Sequence, residues 1–131
     1  FKGMLGASGV GQALANSVEG LGISVLFIAF FFSAISRIAQ GSATMAMVMA
    51  ASLMVDILGP LDLSDAKLSL IVVAIASGAA GFSHVNDSGF WMVSRYLRMT
   101  EKETFKTWSA VSTAVAFIGI ALASIVWAVV A

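Results

Sequence analysis

The chain has 131 residues, of which 60% are hydrophobic and 11% charged, with seven basic groups, seven acidic groups and no cysteine. Soluble domains are roughly 45–50% apolar and about 25% charged, so this composition excludes a soluble enzyme domain, a disordered tail and a nucleic-acid binder with a basic face. The lack of cysteine excludes disulfide scaffolds, thiolate metal sites and cysteine nucleophiles together. What remains is an all-α integral membrane protein, or a part of one, with room for four to five crossings at about 20 residues each.

Residues 1–20 form a Gly-rich segment (Gly3, Gly6, Gly9, Gly11, Gly20), read as interfacial, in which Val10 to Val18 has helical character. The chain begins at Phe1 without a methionine or the features of a signal peptide, so a portion of a longer chain is the expectation. Residues 21–58 hold two uncharged runs, Leu21 to Ser36 and Ser42 to Val55, parted by Arg37, Gln40 and Gly41 and closed by Asp56. Both runs fall short of a full span. An ordinary hairpin would set Arg37 at the cytoplasmic surface, whereas a re-entrant hairpin would carry its tip, residues 37–44, to mid-membrane. Counting positive charge favours the first and the short arms favour the second.

The loop 59–67 holds Asp62, Asp65, a single lysine and the only proline, Pro60, and reads as extracytoplasmic. Residues 68–99 read as a discontinuous membrane helix broken at 83–89. The 27 residues from 68 to 94 would cover about 40 Å, enough for two half-helices around an unwound centre. Arg95, Arg98, Lys102 and Lys106 fall within twelve residues, which places that stretch in the cytoplasm. In the connector 100–107, Thr100-Glu101-Lys102-Glu103 is a capping box opening a helix. Residues 108–131, 24 in number and uncharged, form a transmembrane helix that returns the C-terminus outside. Ser42 is positioned to cap the helix after Gly41, and Asp87 or Ser88 the one after Gly89.

The two polar breaks carry the chemistry. The first, Arg37-Ile38-Ala39-Gln40-Gly41-Ser42-Ala43-Thr44, offers a guanidinium fork, an amide, two hydroxyls and a helix start, which together suit a small organic anion. For Arg37 alone, a snorkelling interfacial side chain is an equal reading, and Gln40, Ser42 and Thr44 shift the balance to binding. The second, Ser83-His84-Val85-Asn86-Asp87-Ser88-Gly89, holds the only histidine and an aspartate flanked by apolar sequence. Ionisable groups at membrane depth cost roughly 2.5–3.5 kcal/mol on insertion scales and are seldom kept without a task. Asn86 and Ser88 suit a polyhydroxylated ligand, and Asp87 or His84 suits a proton. The competing structural reading is a satisfied polar cluster capping a kinked helix. A hydrolytic Ser-His-Asp triad is poorly supported, since no oxyanion loop or nucleophile elbow accompanies it. One histidine and one aspartate do not make a metal site, and Gly41-Ser42 lacks the lysine and glycine spacing of a phosphate loop. Trp91, Trp108 and Trp127 fit interfacial belts as readily as ligand stacking.

Three motifs, Arg37 to Thr44, Phe82 to Trp91 and Lys102 to Trp108, resemble the C-terminal part of the gluconate permease family, the bacterial gluconate:proton symporters of the ion-transporter fold group. The resemblance covers nearly the whole chain, which would correspond to the last portion of much longer proteins. It implies the second of two inverted repeats, with a re-entrant hairpin tipped at Arg37–Thr44 and a broken helix centred on His84–Gly89. It also tips the choice for residues 21–58 toward re-entrancy. The implied function is secondary import of gluconate or a related sugar acid across the bacterial cytoplasmic (inner) membrane by a multi-pass permease. Arg37 and the helix start at Ser42 would hold the carboxylate. Gln40, Thr44, Ser83, Asn86 and Ser88 would complete substrate binding. Asp87, with His84, would carry the coupling proton.

No catalytic residue, metal or cofactor is expected beyond that coupling ion. The expected partners are a small sugar-acid anion, the lipid bilayer and the N-terminal repeat of the same parent chain. A second copy forming a homodimer is a further candidate, and nucleic acid is not expected. The alternatives are a carrier of another small carboxylate such as D-serine, a non-transporting membrane anchor subunit, and an intramembrane hydrolase using Ser83 or Ser88 with His84.

Overall fold

The computed structural model describes residues 24–59 and 61–130, and every regular element among them is helical. The Gly-rich segment 1–20 lies outside the described residues, as does Pro60.

Helix α1 (Val25–Gln40) starts on the Ser24 hydroxyl, which accepts from the Leu26 N–H. It stops at Gly41, whose φ of 70° is left-handed and whose N–H returns to the Arg37 carbonyl at 2.8 Å. Glycine takes this conformation without steric cost. Ser42 then caps α2 (Ala43–Leu58) by accepting the Met45 N–H at 3.3 Å. A two-residue connection of this kind folds α2 back along α1. The start of α1 (Leu26, Phe30) accordingly shares a core with the end of α2 (Met54, Ile57). Ser64 caps α3 (Asp65–Ala80), Asp87 caps α4 (Ser88–Tyr96), and Thr100 with Glu103 forms a complete capping box on α5 (Glu101–Thr104). A π-helical segment, Phe105–Ser109, joins α5 to α6 (Ala110–Val129).

Helix α3 lies at the centre, packed most extensively on α1 and next on α6. Its face is built from Ile71, Ala74, Ile75 and Gly78. A side chain at Gly78 would collide with the Phe30 carbonyl, so the two backbones touch only because glycine stands there. The buried Ser33 hydroxyl donates to the Ile75 carbonyl at 2.7 Å and ties the same two helices. Between lipid-embedded helices the apolar surface itself supplies little driving force, so close approach and interhelical hydrogen bonds of about 0.6–2 kcal/mol carry the association.

Length separates the helices into two classes. The unbroken run Glu101–Val129 has 29 residues, about 43 Å at 1.5 Å each, and is the one helix among the described residues long and apolar enough to cross a membrane. Helices α1 and α2 have 16 residues each and reach about 24 Å, less than a hydrocarbon core of roughly 30 Å. The outward faces are largely apolar: Phe31 and Ile35 on α1, Val72 on α3, Ile118, Leu122 and Ile125 on α6 are all exposed. A surface of this kind suits lipid or further protein and would associate in water.

The helical break sits two residues earlier than the sequence reading placed it. Residues 81–87 are non-helical, whereas Ser88 and Gly89 already belong to α4. The Asp87 side chain accepts the Gly89 N–H, which starts the helix at once. On the other side Phe82 takes a φ of 56°, a left-handed conformation costly for a bulky residue, while its ring packs edge-on against Phe117 at 5.9 Å. The loop 59–67 is likewise shorter, since Ser64 starts α3 at Asp65.

Candidate functional site

The two polar breaks, some fifty residues apart in sequence, are docked against each other. Gly41 is the point of contact: a side chain there would strike the Asn86 carbonyl, so glycine is required by proximity as well as by its φ. Two latches hold the junction. The His84 ring accepts the Asn86 N–H on Nδ1 at 3.2 Å and faces the Ile38 carbonyl with Nε2 at 3.0 Å, which assigns the neutral tautomer protonated on Nε2. The Asn86 amide donates to the Ala39 carbonyl at 3.1 Å. These carbonyls belong to the last turn of α1, where helix geometry leaves them without partners in the helix.

Beneath the latches lies an ion pair. Arg37 Nη2 donates to Asp87 Oδ2, and Arg37 Nη1 donates to the Gly41 carbonyl. Both charged side chains are only 7% exposed. Asp87 Oδ2 also accepts from the buried Ser83 hydroxyl, while Oδ1 takes the Gly89 N–H at 2.9 Å. Ser83 in turn accepts the Trp108 indole N–H at 2.8 Å, so the chain of donors runs Trp108, Ser83, Asp87. Trp108 stands in the π-helical segment, an irregularity that is often found at functional sites. Among the described residues one donor in this network is unmet: Arg37 Nε is buried and has no partner there. A buried unpaired donor carries a desolvation cost of about 1–3 kcal/mol, more when charged.

The sequence-predicted residues therefore divide into three sets. Arg37, Ser83 and Asp87 form one buried network. His84 and Asn86 latch the breaks together. Gln40, Thr44 and Ser88 are exposed at the helix ends that meet here, and Ser42 is half-buried with its hydroxyl engaged as a cap. Sequence reasoning did not single out Gly41 or Trp108 for the site. A lone tryptophan at the start of an apolar run carries an interfacial signal, and nothing local marks its bond to Ser83. A separate cleft of about 700 Å³ is lined by Trp91, Ser94, Arg95, Arg98, Met99, Thr100, Glu101 and Lys102, and none of the nine predicted site residues lines it. No group of residues suited to hold a metal ion occurs among those described.

Known proteins are similar to this sequence. The low-affinity gluconate transporter of Escherichia coli (strain K12) is 39% identical over 119 residues, covering 91% of this chain and 27% of that protein. The gluconate permease of Bacillus subtilis (strain 168) is 39% identical over 92% of this chain and 26% of its own length. The Gnt-II system L-idonate transporter of Escherichia coli (strain K12) is 35% identical over 92% of this chain and 27% of its own. The chain thus spans about a quarter of the length of the curated relatives it matches. No solved structure matches. The GntP family permease model matches residues 1–130, and the chain belongs to that family, whose members here are transporters and not enzymes.

Proposed function

We propose that this chain forms part of a multi-pass permease of the bacterial cytoplasmic membrane that imports gluconate or a related sugar acid by proton symport. The observation that carries the reading is the buried Arg37–Asp87 pair at the junction of two polar breaks. Two ionisable groups from separate helix ends meet inside an otherwise apolar protein, which is the usual mark of a solute or proton pathway. The printed names of the relatives, gluconate and L-idonate transporters, point to polyhydroxylated monocarboxylates.

In this reading α1 and α2 form a re-entrant hairpin, α3 and α4 are the halves of a discontinuous helix, and together they make the second of two inverted repeats. The short α1 and α2 and the docked breaks favour that arrangement. Arg37 and the helix start at Ser42 take the substrate carboxylate. Gln40 and Thr44 on one side and Ser83, Asn86 and Ser88 on the other complete substrate binding, and Asp87, beside His84, takes the proton. The N-terminal repeat of the same parent chain supplies the opposite wall.

Uptake of labelled gluconate by a full-length permease carrying this segment, with and without a proton uncoupler, tests the proposal. Accumulation should collapse with the uncoupler. Accumulation that persists with the uncoupler and follows the sodium gradient would reassign the coupling ion, and no carriage of sugar acids would refute the reading.

A further inference from the structure

Two features of the buried pair are unexplained by a scaffold role. Arg37 is held by Asp87 through Nη2 alone, and its buried Nε–H has no hydrogen-bond partner among the described residues. On a guanidinium the Nε–H lies on the same edge as one Nη2–H, so the two form parallel donors spaced for the two oxygens of a carboxylate. Asp87 therefore occupies the Nη2 half of a carboxylate fork, and the Nε half has no partner among the described residues.

We propose that the substrate carboxylate and Asp87 compete for this fork, and that charge neutrality of the site makes proton and anion travel together. The inference rests on the proton-symport reading and adds its coupling rule. In the empty site Arg37 and the Asp87 carboxylate sum to zero. When a proton binds, the Asp87 carboxylate becomes a carboxylic acid and releases Nη2, and the substrate carboxylate takes Nε and Nη2 together. The sum is again zero. A proton without substrate leaves one net positive charge, and substrate without a proton leaves one net negative charge. Either would be a buried, uncompensated charge, which a low-dielectric surrounding penalises heavily. Only the empty and the fully loaded carriers can then re-expose the site to the other side, which is the condition for symport without leak.

The groups facing Asp87 are few. Arg37 approaches from α1, the Gly89 N–H from α4, and Ser83, backed by Trp108 of the π-helical segment, from the break itself. His84, in the same loop, turns its ring to the Ile38 carbonyl. Among the described residues Arg37 is the one charged partner that the hydrogen-bond network gives Asp87, and against that pair one proton and one monocarboxylate balance.

Three consequences are measurable in proteoliposomes containing a full-length permease with this segment. Uptake of labelled gluconate is electroneutral: an imposed pH gradient drives accumulation to the same extent whether the membrane potential is clamped at zero or made inside-negative with valinomycin. Because proton and anion binding are linked reciprocally, KM for gluconate rises about tenfold per pH unit over the range where Asp87 is ionised in the empty carrier. Asp87→Asn fixes the neutral form, so accumulation is lost while gluconate exchange persists at a reduced rate and without pH dependence. Accumulation driven by the potential alone, or by an Asp87→Asn carrier, would overturn the swap and leave the symport reading standing. So would an Asp87→Asn protein present in the membrane that has lost exchange as well. A wild-type carrier indifferent to gluconate would remove the reading and the swap together.

Discussion

Among the described residues two helices have a carboxylate in their cap, and the two carboxylates have opposite fates. Glu103 closes a capping box: it accepts the Thr100 N–H at 2.8 Å and the Thr100 hydroxyl at 2.8 Å, out in the exposed connector. Asp87 does the same local service for α4 through Gly89, yet is buried and also holds Arg37 and Ser83. The cap explains both positions equally well. What differs is the second partner: a buried cation cannot be left alone, so the Asp87 cap is bound up with the whole junction, whereas the Glu103 cap concerns four residues. A helix cap in a membrane protein thus becomes a candidate for function when a charge from a distant helix is delivered to it.

The largest effect should follow from breaking the charge pair on one side only. Arg37→Met strands the Asp87 carboxylate and should cost about 3–5 kcal/mol, seen as a fall in thermal unfolding temperature in detergent, with uptake abolished. Arg37→Met combined with Asp87→Asn should recover most of the stability and none of the transport, because a buried pair replaced by neutral groups is nearly neutral for folding. If Arg37→Met proves no more damaging than a cap mutation, the contrast between the two carboxylates collapses. Next in size is Gly41→Ala. The left-handed φ alone costs about 1 kcal/mol or more for alanine, and the collision with the Asn86 carbonyl adds to it by prising the breaks apart. Protease sensitivity at 81–87 should rise in that variant while α6 stays intact.

Local rules were legible in the sequence and distant ones were not. Ser42, Asp87 (offered together with Ser88) and the Thr100–Glu103 box were readable because a cap is decided within four residues; Ser42, Asp87 and the box occupy their caps, while Ser88 is already the first residue of its helix. The break was visible as polarity, but its start was misplaced because Gly81 and Phe82 are apolar. Phe82 leaves the helix under tertiary packing on Phe117, which no nearby residue announces. Arg37 and Asp87 were each marked as out of place in an apolar run, yet as separate binders. Their pairing depends on α1 and α3 lying side by side, and that is set by small residues such as Gly78 meeting the Phe30 carbonyl. Trp108 was indistinguishable from a belt residue until the π-helical turn brought its N–H to Ser83.

That bond gives a smaller and more selective test. Trp108→Phe keeps the ring and removes the donor, at about 0.5–1.5 kcal/mol for one hydrogen bond. Its consequence should lie mainly in coupling, since Ser83 loses the partner that orients it on Asp87. The pH profile of gluconate uptake should move, whereas Trp91→Phe, which loses only a bond to the Val85 carbonyl, should leave the profile in place. Equal shifts from both would show that Trp108 has no particular hold on the buried carboxylate.

The smallest effect belongs to the exposed carboxylate. Hydrogen bonds from the Thr100 N–H and hydroxyl hold Glu103 below the ordinary glutamate range. A depressed native value means that the unfolded segment binds its proton first, so the cap is at full strength above the ordinary value and is lost as pH falls through the native one. Hydrogen exchange at residues 101–104 should therefore quicken in acid relative to the base-corrected rate, and Glu103→Gln should flatten that dependence because its amide does not titrate. Uptake at neutral pH should barely change in the same variant. A transport defect in Glu103→Gln comparable to that of Asp87→Asn would mean that the connector, too, takes part in moving solute, and that burial of the second partner is not what separates the two caps.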